Sequence, residues 1–130
     1  MTKARVLVVD DEPNLADLVR FFLEKTKRFD VRTVNRSNKA LAAAREFAPD
    51  VILLDVNMPG KDGGDVATEI ESDSQLCGTP ILFLTALLSH AETGGEMIIR
   101  NGMHFLPKPV DPRILVKAVD RLRKLAAIPA

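Results

Sequence analysis

Three stretches of the chain are apolar without interruption: Val6-Leu7-Val8-Val9, Val51-Ile52-Leu53-Leu54 and Ile81-Leu82-Phe83-Leu84. Short runs with no polar alternation suit strands covered on both faces, as in a parallel sheet. Between them the period changes. Leu15, Leu18, Val19, Phe22 and Leu23 recur at the spacing of one helical face, after Pro13 at the first helical position. Phe29 to Val34 alternates polar and apolar residues, which predicts an edge strand. Ser37 is placed to cap a helix carrying Ala40, Leu41, Ala44 and Phe47, which stops before Pro49. Turn formers crowd Met58-Pro59-Gly60-Lys61-Asp62-Gly63-Gly64, and a short helix with Val66, Ala67 and Ile70 follows. A weak helix is expected between Ser89 and Arg100, interrupted by Gly94-Gly95. Met103 to Leu106 reads as the last strand. Asp111 then caps a final helix with Pro112 at its start and Leu115, Ala118, Val119, Leu122 and Ala126 on one face.

Five strands alternating with five helices through short connections predict an α/β fold, a doubly wound parallel sheet with helices on both faces. A chain of 130 residues suits one domain with its own core, here over about residues 4–126. No linker or repeat breaks it, and no output domain is expected.

Composition narrows the function classes. The 18 basic residues match the 18 acidic ones, so net charge is zero, which argues against broad nucleic-acid or acidic-membrane binding. Cys77 is the one cysteine, which excludes an intrachain disulfide and a cysteine zinc cluster. The start of the chain lacks a signal-peptide pattern, and no apolar run approaches the roughly 20 residues of a membrane helix. A soluble cytoplasmic domain is the expectation.

Chemistry gathers where the strands end. Asp10 and Asp11 follow the first apolar run, Asp55 the second and Thr85 the third; Lys108 follows the last strand. In open α/β sheets this carboxyl edge is where ligands bind. Three clustered carboxylates repel one another unless a cation sits among them. Oxygen ligands without His or Cys favour Mg²⁺, which keeps waters that a phosphate displaces. A lysine ammonium and a threonine hydroxyl suit phosphoryl oxygens, and an aspartate carboxylate is a competent phosphoryl acceptor. The residues point to a Mg²⁺-dependent aspartyl phosphorylation site.

Val8-Val9-Asp10-Asp11-Glu12, Leu53 through Gly63, Phe83-Leu84-Thr85-Ala86 and Phe105-Leu106-Pro107-Lys108-Pro109 together resemble the receiver domain of bacterial two-component response regulators. The four blocks stand in order and cover nearly the whole chain. The resemblance implies a flavodoxin-like sheet of order 2-1-3-4-5. It makes Asp55 the phosphoacceptor, Asp11 a direct Mg²⁺ ligand, Asp10 a ligand mostly through water, and the Asn57 backbone carbonyl a further ligand, with Mn²⁺ as a substitute metal. Lys108 would contact the phosphoryl group, Thr85 would swing toward it, and Phe105 would be the switch aromatic. The Lys108–Pro109 bond matches a position that is usually cis. The implied partners are a sensor histidine kinase or histidine phosphotransfer protein and a downstream protein. A dimer on phosphorylation is compatible with the family; direct nucleic-acid or membrane binding is not expected, nor turnover of a separate substrate. Gly94-Gly95 and Gly102-Met103 depart from the family pattern, as does apolar Leu87 two positions after Thr85.

Two other functions compete. A phosphatase using Asp55 as transient nucleophile typically needs a second Asp two positions on, where Asn57 stands. A phosphorylation-independent interaction module has no need of the acidic residues and lysine. Each acidic residue taken singly is an ordinary loop residue or cap, and Thr85 is placed to cap a helix; the joint set carries the reading. His90 and His104 have no second ligand at metal spacing, and Arg121, Arg123 and Lys124 suit the negative end of the last helix dipole.

Overall fold

The computed structural model describes residues 3–88 and 94–127. The apolar runs form β1 (Ala4–Val9), β3 (Val51–Asp55) and β4 (Ile81–Thr85), and every residue of β3 is buried. The alternating segment forms β2 (Phe29–Val34), and Met103–Pro107 forms β6. Helices α1 (Pro13–Glu24), α2 (Ala40–Phe47), α3 (Gly63–Glu71) and α4 (Pro112–Ala127) connect or follow them. The sheet order is β2-β1-β3-β4-β6 followed by β5 (Ile98–Arg100), with β2 at one edge as its alternation predicts. β1, β2, β3, β4 and β6 run parallel in the expected order.

The expectation of five strands and five helices needs correction. A sixth strand, β5 (Ile98–Arg100), pairs antiparallel with β6, so the end of the expected fourth helix is extended chain. The rest of that helix falls partly on residues 89–93, outside the described residues. Four α-helices and one 3₁₀ turn, Ser37–Lys39, are present among the described residues.

The sheet separates two apolar layers. One packs Val6, Val8, Leu53 and Leu82 against Ala16, Val19 and Leu23 of α1 and Leu115, Val119 and Leu122 of α4. The other packs Leu7, Val9, Ile52 and Leu54 against α2 and α3 through Ala40, Ala44, Val66 and Ile70. Each fully buried large side chain here is worth about 1.5–3 kcal/mol relative to exposure. Two expected core positions differ. Leu18 is 47% exposed, because Ala16 takes the inward place on α1. Ala126 is exposed at the end of α4.

Local polar bonds define the entries. Asp111 Oδ1 accepts from the amides of Arg113 and Ile114, as a cap should. Ser37 does not cap a helix. Its buried hydroxyl donates to the Pro59 carbonyl at 3.4 Å and accepts from the Lys61 amide at 3.3 Å, tying the turn before α2 to the β3–α3 loop. At the start of α3, Asp62 and Asp65 form a reciprocal capping box.

Candidate functional site

Register brings the polar strand ends to one level. Val9 pairs with Leu54, Asp55 with Leu84, and Thr85 with Pro107. The next residues out, Asp10-Asp11 and Lys108, therefore share the carboxyl edge with Asp55. Asp10, Asp11 and Asp55 each offer an oxygen within 4.8 Å of the others, a spacing that could hold a metal ion. Lys108 Nζ lies 3.2 Å from Asp10 Oδ2 and 3.1 Å from Asp55 Oδ1.

Backbone groups hold these side chains. The Glu12 amide donates to Asp10 Oδ1 at 3.0 Å, and Asn35 Nδ2 donates to the Asp10 carbonyl at 3.0 Å. The Asn57 amide donates to Asp55 Oδ1 at 3.3 Å. Lys108 is aimed by its own amide, bonded to the Thr85 carbonyl at 2.8 Å, and it precedes Pro109 through a cis bond. Asp10 and Asp55 are buried, while Asp11 is half-buried beside a hollow of about 430 Å³ that also meets Ser37, Gly60 and Lys61.

Charge follows from this placement. Burial raises the Asp10 carboxyl above the ordinary range and Asp55 adds repulsion, against the Glu12 amide and Lys108, which lower it. Asp11 is raised by desolvation and by its contact with Asp55. Burial alone would lower the Lys108 ammonium, but the attraction of Asp10 and the hydrogen bond and charge of Asp55 outweigh it and raise it. One ammonium against three carboxylates leaves an acidic surplus, which a divalent cation would offset.

The switch candidates stand differently. The Thr85 hydroxyl accepts from the Leu87 amide at 3.0 Å, so here it closes a local turn rather than reaching toward Asp55. Phe105 is half-buried and stacked on Phe83, with ring centroids 5.3 Å apart. A hollow of about 160 Å³ between Thr85, Leu87, Arg100 and Phe105 adjoins both. His104 is half-buried and held below its ordinary pKa by burial and by Arg121. Cys77 is exposed. A larger hollow, about 530 Å³, lies at the opposite end of the sheet, where Arg28 already pairs with Asp120 at 2.9 Å.

Two supporting residues escape a reading by motif chemistry. A Cβ on Gly63 would come within 2.6 Å of the Asp55 carbonyl oxygen, so only glycine lets α3 start this close to the acidic edge. The Gly63-Gly64 pair after a turn is the sequence signal for that approach. Asn35, from the end of β2, carries none.

A family model described as response regulator receiver domain matches residues 6–120. The chain is similar to the DNA-binding response regulator MtrA of Mycolicibacterium smegmatis, 36% identical over an aligned length of 130 that covers 98% of this chain and 54% of that protein. The Mycobacterium leprae protein of the same name is 36% identical over 94% of this chain and 52% of its own length. The chain thus spans about half the length of the curated relatives it matches. Their names describe DNA binding, which runs against the expectation of no direct nucleic-acid contact, although that property belongs to proteins about twice as long. Among solved structures, the Vibrio cholerae chemotaxis protein CheY4 is similar with a TM-score of 0.79 and 32% identity, over 93% of this chain and 99% of that one. A response regulator receiver domain protein from Clostridium thermocellum gives a TM-score of 0.73 at 26% identity, over 94% and 95%. No helix among the described residues is long and apolar enough to cross a membrane.

Proposed function

Since the chain belongs to the response regulator receiver domain family, we propose that it is the phosphoacceptor switch of a two-component phosphorelay, with Asp55 as acceptor. The observation that carries this reading is the joint placement of Asp55, Lys108 and the Asp10–Asp11 pair, with Lys108 within 3.1 Å of Asp55. Asp10, Asp11, Asp55 and the Asn57 carbonyl would hold Mg²⁺, which supplies charge neutralisation for a phosphoryl group. The donor set fits: all oxygen, with an acidic surplus at an open rim.

In the reaction, an Asp55 carboxylate oxygen attacks phosphorus of a phosphohistidine on a kinase or phosphotransfer protein. A P–O bond forms, the P–N bond breaks, and the imidazole leaves with a proton from solvent. Lys108, already a donor to Asp55, pairs with a phosphoryl oxygen as that negative charge arrives, so the ammonium need not be recruited. Thr85 would exchange its bond to the Leu87 amide for one to the phosphoryl oxygen, freeing Phe105 to move toward the adjoining hollow. Such a change shifts a two-state equilibrium that a downstream partner reads.

The test is Mg²⁺-dependent labelling by acetyl phosphate. The wild type should take up one phosphoryl group, and Asp55→Asn none. Absence of labelling in the wild type, or equal labelling of Asp55→Asn, defeats the proposal.

A further inference from the structure

β5 extends the sheet beyond β6 through a two-residue turn, Asn101-Gly102, with φ of 52° and 78°. Positive φ at both positions marks the turn that suits right-twisted hairpins. The residues flanking such a turn exchange both backbone hydrogen bonds, so Arg100 bonds to Met103, and Ile98 to Phe105. The N–H and C=O of Ile99 therefore face outward. Its side chain is 54% exposed. Among the described residues no strand or loop backbone bonds to that edge.

Unprotected edges invite another strand. Here the flanking charges specify which. Glu96 and Arg100 are exposed, opposite in sign, and form no ion pair among the described residues. We propose that this edge pairs with the same edge of a second copy of the chain, β5 antiparallel to β5 about a two-fold axis at Ile99. Ile99 then meets Ile99 of the partner subunit as the pair that exchanges two backbone bonds. Ile98 meets Arg100 of the partner subunit, so no like charges stand directly opposite each other; the single like-charge diagonal, Arg100 with the partner's Arg100, is outnumbered by the two Glu96–Arg100 diagonals. Carried one step further, Glu96 lies diagonal to the partner's Arg100 on the same face, within reach of long side chains, and symmetry makes this contact twice. A minus sign at 96 and a plus at 100 complement themselves when antiparallel, which favours a second copy over an unrelated strand. Pairing at this edge does not depend on phosphorylation.

A three-residue strand buries little, so the dimer belongs to the weak, concentration-dependent class. Analytical ultracentrifugation of the 130-residue chain from roughly 10 μM to 1 mM tests it, a range that covers weak affinities. The wild type should show reversible dimerisation, and Ile99→Lys should remain monomeric with an unchanged circular dichroism spectrum. Glu96→Lys and Arg100→Glu should each weaken the dimer by roughly three- to tenfold, as two cross-strand charge contacts would. The double charge swap should restore it. A monomer across the whole range overturns the proposal. So does a dimer indifferent to Ile99→Lys, or a charge swap that fails to restore.

Discussion

Lys108 Nζ stands 3.1 Å from Asp55 Oδ1 with only 16% of the lysine side chain exposed, so the one ammonium of the site already touches the carboxylate proposed to accept phosphate. It also touches Asp10 at 3.2 Å. A single cation thus serves two buried acids whose own repulsion would otherwise go unanswered. The arrangement holds charge in place before any ligand arrives, which is how a preorganised site lowers the cost of binding one.

Removing that ammonium separates two effects. Lys108→Met should tighten Mg²⁺, because the metal no longer competes with a resident cation, while labelling by acetyl phosphate should fall at least about 100-fold for loss of the phosphoryl contact. Calorimetric titration measures the metal, since the chain has neither Trp nor Tyr to report it by fluorescence. Weaker Mg²⁺ binding in Lys108→Met, or unchanged labelling, contradicts this account of the lysine.

Gly63 makes a steric prediction that runs against helix propensity. Alanine in the first turn of a helix ordinarily gains up to about 1 kcal/mol over glycine. Here the added Cβ would stand 2.6 Å from the Asp55 carbonyl oxygen and 2.9 Å from Val56 Cα, both backbone atoms that cannot swing aside. Gly63→Ala should therefore destabilise by about 1–3 kcal/mol, the range of overpacked sites. Gly64→Ala, whose Cβ meets only the Asp62 carboxylate at 3.2 Å, should cost less. Thermal unfolding of the pair decides, and equal midpoints would contradict the steric explanation.

Asp73 gives a pH dependence outside the site. The Arg45 hydrogen bond, helped by the Gln75 amide, holds its carboxyl below the ordinary range. A group depressed in the folded state adds stability that is present above its unfolded pKa of about 3.9 and is lost as pH falls through the folded value. Arg45→Met should therefore unfold at a lower temperature than wild type at pH 7, and the gap should shrink as pH drops below the ordinary carboxylate range. Thermal scans from pH 7 downward test the sign; a gap that widens in acid refutes it.

How much of the fold is legible in the residues depends on range. Val51 through Leu54 are buried on both faces whatever their neighbours, so their apolar run reports its place directly. Asp10, Asp55 and Lys108 stand at strand ends, and parallel register then brings them together. Ser37 misleads because its hydroxyl bonds across space to Pro59 and Lys61, a contact no local pattern encodes. Leu18 fits the helical period, but α1 buries Ala16 with Val19 and Leu23 and leaves Leu18 at the margin of that stripe. β5 is legible and hidden at once. Asn101-Gly102 is a strong hairpin signal, while Gly94-Gly95 and the apolar Met97, Ile98 and Ile99 suggest an interrupted helix.

That hairpin turn yields a last prediction. Gly102 has φ of +78°, and a Cβ added to it would find no atom within 4 Å, so a side chain there would meet strain and no clash. Gly102→Ala should cost about 1 kcal/mol through the left-handed backbone alone. The loss should fall on β5 rather than on the whole sheet. The Phe105 amide faces β5 and the Leu106 amide faces β4, because successive residues of β6 turn their backbone groups to opposite neighbours. Hydrogen exchange should therefore quicken at Phe105 and stay near its wild-type rate at Leu106. Equal acceleration at both would mean that the turn supports the sheet as a whole and that β5 is not an independent flap on its edge.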